Sequence, residues 1–175
     1  METGDVKRLT RLSLLLALSL ILFAAELQMP PPVPIPGVKL GLANIVIVYA
    51  LYRYPLKDVG VLLMARVLLS VFFGGSVLSL TYSLMGGMFC LIGMNMVKSV
   101  LSENRLWLCS AAGAVFHNIG QLTAASWWIE SIAVWGYFPL LCAAGIIAGL
   151  ITGMAAQLLL RRQIVPEYKI RGTQG

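Results

Sequence analysis

The sequence predicts an all-α fold: an integral membrane bundle of six transmembrane helices with a Pro-rich loop between helices 1 and 2. Hydrophobic residues make up 59% of the 175 positions and charged residues only 11%, about half the share of a typical soluble domain. A soluble domain of this size could not bury so much apolar surface. In addition, the few charges divide the chain into apolar stretches of spanning length.

The first predicted helix covers residues 12–29 and follows three basic residues. It lacks the small-residue cleavage site of a signal peptide, and further apolar stretches follow, so we predict that it is retained as a span. Residues 30–41 read PPPVPIPGVKLG. Because prolines fix φ and remove N–H donors, this segment is predicted to be a non-helical loop. A short second helix is predicted over residues 40–54.

An uncharged run over residues 67–97 decides how many spans follow. As one helix it would measure roughly 46 Å, whereas a bilayer core is about 30 Å thick. We therefore predict a break at Gly74-Gly75-Ser76. The alternative is one tilted helix, which gives five spans and places the two basic termini on opposite sides. With the break, the remaining predicted helices cover residues 56–73, 77–100, 106–129 and 138–160.

The six-span arrangement places 11 of the 13 Lys and Arg residues on one side. The positive-inside rule then makes that side, and both termini, cytoplasmic. The predicted organisation is a tail over residues 1–11, a membrane domain over 12–160 and a basic tail over 161–175, in the cell membrane. The net charge of +6 is explained by the basic residues on the cytoplasmic side of the membrane. Membrane lipid is therefore an expected partner, and nucleic acid is not. The 11 residues are Lys7, Arg8, Arg11, Arg53, Lys57, Lys98, Arg105, Arg161, Arg162, Lys169 and Arg171.

The sequence carries no motif for catalysis or for a cofactor. It has neither a nucleotide-binding G-x-x-x-x-G-K-[ST] nor a dinucleotide fingerprint, and its three cysteines and lone His117 show no metal-ligand spacing. A prenyl-diphosphate synthase needs clustered aspartates to hold Mg²⁺, but only Asp5 and Asp58 are present. We therefore predict no catalytic residue, no metal and no cofactor, and the chain alone is not expected to be an enzyme.

Arg66 lies about ten residues into the third predicted helix, near the bilayer midplane. A charge there costs at least about 2.5–3.5 kcal/mol, so the side chain should face protein or water. Two interpretations remain open, an internal ion pair with Glu26 or an anion ligand in a pocket. Both can hold in turn if Glu26 acts as a gate that releases Arg66 when substrate arrives.

Further polar residues are predicted at similar depth. In GAVFHNIGQL, residues His117, Asn118 and Gln121 lie within about one turn of each other on the fifth helix, and they serve either as a ligand site or as interhelical hydrogen bonds. Lys39 precedes the second helix, whose first turns carry Asn44. The N-terminus of that helix could hold an anion, or Lys39 could be an interfacial anchor.

Two small-residue stripes predict helix contacts. Gly145, Gly149 and Gly153 share one face of the sixth helix and allow another backbone to approach closely, which favours packing within the chain. Ser13 and Ala17 form a weaker stripe on the first helix.

Four segments resemble the Gx transporter family, whose members are often labelled heptaprenyl diphosphate synthase component I. That family is similar to the substrate-binding S components of energy-coupling factor transporters. The resemblance implies a fold of six helices without an ATPase of its own. It also implies that the chain captures a nutrient, and that a coupling membrane protein and two ATPases help to deliver it. The segments are GVKLGLANIVIVYALY (37–52), LLMARVLLSVFFGG (62–75) with its arginine, YSLMGGMFCLI (82–92) and GAVFHNIGQL (113–122).

The leading interpretation is therefore an S-component-like uptake protein for a small anionic or amphipathic nutrient from outside. The resemblance implies that Ser13 and Ala17 contact the coupling protein, although Ser13 departs from the usual alanine. The alternative is a membrane accessory subunit of heptaprenyl diphosphate and menaquinone side-chain synthesis, and a purely structural subunit is the third possibility. In the leading interpretation the loop with Lys39 gates a pocket whose polar wall is Asn44, Arg66, His117, Asn118 and Gln121.

Overall fold

The computed structural model describes residues 3–29, 41–73 and 77–162, and these ranges contain helices and turns but no strand. The predicted Pro-rich loop and the break at Gly74-Gly75-Ser76 lie outside them. The described ranges hold six α-helices and short 3₁₀ turns at Val71–Phe73, Glu103–Arg105 and Ile132–Tyr137. The helices are α1 (Thr3–Gln28), α2 (Leu42–Arg53), α3 (Leu56–Ser70), α4 (Val77–Lys98), α5 (Leu106–Ile129) and α6 (Phe138–Arg161).

Three helical stretches of the described chain are long and apolar enough to cross a membrane: Asp5–Gln28, Leu78–Lys98 and Ile132–Arg161. They indicate a membrane protein, and many large apolar side chains on their outer faces are exposed. The prediction has three more spans, in α2, α3 and α5. Helices α2 and α3 are short, with 12 and 15 residues, and α5 carries the polar residues His117, Asn118 and Gln121 in its middle.

The first helix begins at Thr3, earlier than the predicted start at residue 12. Lysine and arginine are good helix formers, so the basic stretch continues the helix instead of preceding it. Arg8 also has a partner there: its Nε donates to Asp58 Oδ2 at 2.7 Å and its Nη2 to Asp58 Oδ1. This bidentate pair joins the N-termini of α1 and α3.

Other basic residues join helix ends at the same end of the bundle. Lys98 Nζ donates to the Leu51 carbonyl at 2.6 Å, and Arg53 Nη2 donates to the Leu160 carbonyl at 3.4 Å. Cations near helix C-termini satisfy carbonyls that have no partner within the helix. The C-termini of α2, α4 and α6 therefore lie together.

A further contact adds the start of α5 to this end, because Gln157 Nε2 of α6 donates to the Asn104 carbonyl at 2.8 Å. Successive helices thus run in opposite directions. We call this end, which carries Arg8, Arg53, Lys98 and Arg161, the basic end. The opposite end, where Trp128 Nε1 donates to Thr81 Oγ1 at 3.0 Å, is the aromatic end, and its aromatic residues are Trp127, Trp128, Trp135 and Tyr137.

Glycines hold α6 closely against α5. A Cβ built on Gly149 would lie 2.8 Å from Ala111 Cα, and one on Gly153 would lie 2.6 Å from Trp107 Cα. Either distance is too short for a real side chain, so these positions require glycine. Gly145, the third member of the stripe, faces the Asn118 amide.

The bundle consists of two halves, α1–α3 and α4–α6, which meet where α2 packs on α6 and α3 on α4. Helix α2 is central, since every residue over 46–52 is buried. This dense core lies toward the basic end. Nearer the aromatic end, the two halves enclose a cavity.

Candidate ligand-binding cavity

The cavity between the two halves has a volume of about 130 Å³, and all six helices contribute to its lining. It extends along α5 from Ser110 to Gln121, which corresponds to about 16 Å of helix. An apolar cavity of about 150 Å³ in another protein holds one benzene molecule. The space therefore suits a compact ligand.

All five residues that were predicted to form the polar wall line this cavity. Lys39, the remaining predicted site residue, lies outside the described residues. The lining includes Asn44 of α2, Arg66 of α3 and, from α5, His117, Asn118 and Gln121.

Arg66 reaches the cavity from the middle of α3. Its Nη1 donates to Asn44 Oδ1 at 2.9 Å, and the side chain is partly exposed. A guanidinium has five N–H donors in a planar fork, and this bond uses one of them. Within the described residues, the cavity thus contains a cation with further donor capacity.

Glu26 also lines the cavity, but its carboxylate binds backbone instead of Arg66. Oε1 accepts from the Gly41 N–H at 2.5 Å and Oε2 from the Leu42 N–H at 3.1 Å. Among the described residues no Glu26–Arg66 ion pair forms within 4.0 Å, so the direct pair, one of the two open interpretations, is not formed in this structure, and the gating role of Glu26 stays a prediction. The physical reason is that the first N–H groups of a helix have no internal partner and favour a carboxylate.

Glycine on α4 makes room for the polar residues of α5. A Cβ on Gly86 would lie 2.8 Å from His117 Cε1 and 3.0 Å from Gln121 Cγ, so both side chains lie directly against the α4 backbone. Asn118 differs, because it is buried and its Nδ2 donates to the Leu141 carbonyl of α6 at 2.7 Å. Asn118 therefore also forms the interhelical hydrogen bond that the sequence left open.

The exposure of the lining changes along the cavity. Toward the aromatic end, Ser70, Ser83 and Gln121 are partly exposed. Toward the basic end, Val48 and Met94 are each only 1% exposed. Within the described residues, the cavity is closed toward the basic end and more accessible toward the aromatic end.

The lining near the basic end was not predicted from the sequence. It includes Met94 and the hydrogen-bonded pair Ser110 and Thr152, whose hydroxyl oxygens lie 3.2 Å apart. Apolar residues give no signal in a chain that is apolar throughout. Only the hydroxyl residues Ser110 and Thr152, on facing helices, could have indicated this part of the lining from the sequence.

Two other predictions concern surfaces and metals. Ser13 and Ala17 are exposed on α1 and do not line the cavity, so their role as a docking stripe stays a prediction. In the described part of the chain, no group of three or more His, Cys, Asp or Glu residues could hold a metal ion.

A family model described as heptaprenyl diphosphate synthase component I matches residues 15–159. No curated protein and no solved structure matches the chain.

Proposed function

The chain belongs to the heptaprenyl diphosphate synthase component I family, and from this premise we propose that it is a non-catalytic membrane subunit of prenyl diphosphate synthesis. In this role it binds the diphosphate group of a prenyl compound in the cavity at Arg66 and presents that compound to a catalytic partner subunit. The family match supports this role over nutrient uptake.

The observation that carries the proposal is the position of Arg66. Its guanidinium lies in the cavity, and the carboxylate of Glu26, the one acid among the described lining residues, binds the N–H groups of Gly41 and Leu42. Glu26 therefore acts on the charge of Arg66 only at longer range and forms no direct ion pair with it within 4.0 Å. Guanidinium groups bind phosphate oxygens through two parallel N–H bonds.

Neighbouring side chains suit the same ligand. The Asn44 amide, the His117 ring and the Gln121 amide line the cavity around Arg66, and each can donate a hydrogen bond. Several donors around one cation are what a diphosphate with many acceptor oxygens requires. Prenyl transfer itself takes place on the partner, because this chain has only two aspartates and Asp58 pairs with Arg8 at the basic end.

We also propose that all six helices cross the bilayer, with the basic end and both termini in the cytoplasm. The alternating helix directions support this, as do the basic residues at one end and the tryptophans at the other. Basic residues concentrate on the cytoplasmic side of membrane proteins, and tryptophans at the interfaces.

Nutrient uptake is the second candidate, and the closed basic end of the cavity favours it. If that end is cytoplasmic, ligand enters from outside, as in a protein that captures a nutrient and delivers it inward with a coupling membrane protein and two ATPases. The first role then requires the cavity to open toward the basic end when the catalytic partner binds. The exposed Ser13 and Ala17 would be available to such a coupling protein.

Measurement of prenyl chain synthesis in host membranes tests the first role. Membranes from cells that lack this chain should form at least about tenfold less heptaprenyl diphosphate, and the wild-type chain should restore it. Arg66→Gln should not restore it, because it removes the cation, whereas Arg105→Gln, a matched change on the exposed basic end, should. Synthesis that is independent of the chain refutes the role. Retained nutrient and co-purifying ATPases in native mass spectrometry would then favour uptake.

A further inference from the structure

We infer that the cavity selects an anion that carries a compact apolar group of about five carbons, with the apolar group pointing toward the basic end. This inference rests on the proposed binding of the anionic group at Arg66. It makes the ligand a short prenyl diphosphate and not the finished long chain.

The first support is a change of chemistry along the cavity. Glu26, Asn44, Arg66 and Gln121 provide charges and amides at its middle and toward the aromatic end. Beyond them, toward the basic end, lies an apolar part that we call the inner lobe. It is lined by Val48, Leu63, Met94, Ala114, Ala148 and Gly149.

The inner lobe has depth and a closed end. On α5, His117 and Ser110 are separated by about 10 Å of helix. Ser110 and Thr152 bond each other through their hydroxyl groups, and Thr152 Oγ1 also donates to the Ala148 carbonyl at 3.0 Å. Because these polar groups are satisfied within the protein, the closed end does not require a polar group from a ligand.

Small side chains create this space. Ala114 and Ala148 face it from α5 and α6, and a larger residue at either position would fill it. The whole cavity of about 130 Å³ is close to the size that holds benzene. The enclosed space therefore fits one apolar group of about five carbons, while the diphosphate at Arg66 extends toward the aromatic end, where the lining is partly exposed. A chain of many isoprene units exceeds the enclosed space several-fold.

Binding measurements on the purified full-length chain in lipid nanodiscs test the inference. The probes are inorganic pyrophosphate, dimethylallyl diphosphate and farnesyl diphosphate. We expect dimethylallyl diphosphate to bind at least about 30-fold more tightly than pyrophosphate, because the inner lobe buries its apolar group. Farnesyl diphosphate should bind at least about tenfold more weakly than dimethylallyl diphosphate, because its chain does not fit.

A variant locates the apolar group. Ala148→Leu fills the inner lobe and should reduce the affinity for dimethylallyl diphosphate to that for pyrophosphate, while pyrophosphate binding, which reports a folded protein, stays unchanged. Ala143→Leu is the matched control on the exposed face of α6 and should change neither affinity.

The outcomes separate this inference from the proposed function. Equal, Arg66-dependent affinities for all three probes would overturn the inference and leave the binding role intact. Farnesyl diphosphate binding as tightly as dimethylallyl diphosphate would overturn the size limit. If wild-type protein binds none of the probes, the proposed function fails and the inference fails with it.

Discussion

Replacing Glu26 by glutamine should loosen the first turn of α2. The carboxylate accepts one N–H bond on each oxygen, from Gly41 and from Leu42. Glutamine has one acceptor oxygen, and its NH₂ group would face the second N–H. Loss of one charge-assisted bond costs about 1.5–3 kcal/mol, and loss of negative charge at a helix N-terminus adds about 0.3–1 kcal/mol. We expect a total near 2 kcal/mol after relaxation.

Hydrogen exchange detects this change locally. Amides at the start of α2 should exchange about 30-fold faster in Glu26→Gln than in wild type, which is the equivalent of about 2 kcal/mol. Glu130→Gln is the matched control, since Glu130 is exposed, and it should leave these amides unchanged. If Glu26→Gln changes their exchange less than threefold, the carboxylate does not hold α2 and our account of Glu26 is wrong.

Three further predictions concern packing, the basic end and the cavity. Gly120→Ala should lower the free energy of unfolding by about 1–3 kcal/mol, because the new Cβ would lie 2.5 Å from the Met85 carbonyl oxygen. Gly60→Ala is the control, since a Cβ there has no atom within 4 Å, and it should leave the free energy of unfolding unchanged. Denaturation of both variants in detergent measures the difference. Asp58→Asn should cost about 1–2 kcal/mol in the same assay, because it removes the bidentate partner of a partly exposed arginine; an unchanged stability would contradict this. In a protein whose other two cysteines are alanine, dimethylallyl diphosphate should at least halve the rate at which a small maleimide labels Cys90, a cavity-lining thiol; equal rates would place the ligand elsewhere.

Much of the helical arrangement was predictable because charges and glycines mark helix ends in an apolar chain. The predicted bounds of α5 are those observed, and α3 and α4 are separate helices, as the length of the uncharged run required. The grouping of the polar residues around one cavity was also predictable, for an energetic reason. Arg66, His117 and Gln121 are costly to expose to lipid, so they lie around a shared cavity.

The remaining features depend on contacts that a single sequence does not display. One of the two open interpretations paired Glu26 with Arg66, but the N–H groups of Gly41 and Leu42 bind the same carboxylate. The start of α1 was missed because Arg8 was assigned to a tail, whereas its partner Asp58 is 50 positions away. The inner lobe was missed because Met94 and its apolar neighbours differ in no visible way from lipid-facing residues.

The most direct test of the central claim is a titration of inorganic pyrophosphate into wild-type protein and Arg66→Gln. If the anion binds at this guanidinium, the substitution should raise the dissociation constant by at least about 30-fold, in the range expected for loss of a partly buried charged partner. Arg66→Lys should give an intermediate value, because lysine keeps the charge but not the planar fork. Dissociation constants within threefold of one another for wild type and Arg66→Gln would contradict the account.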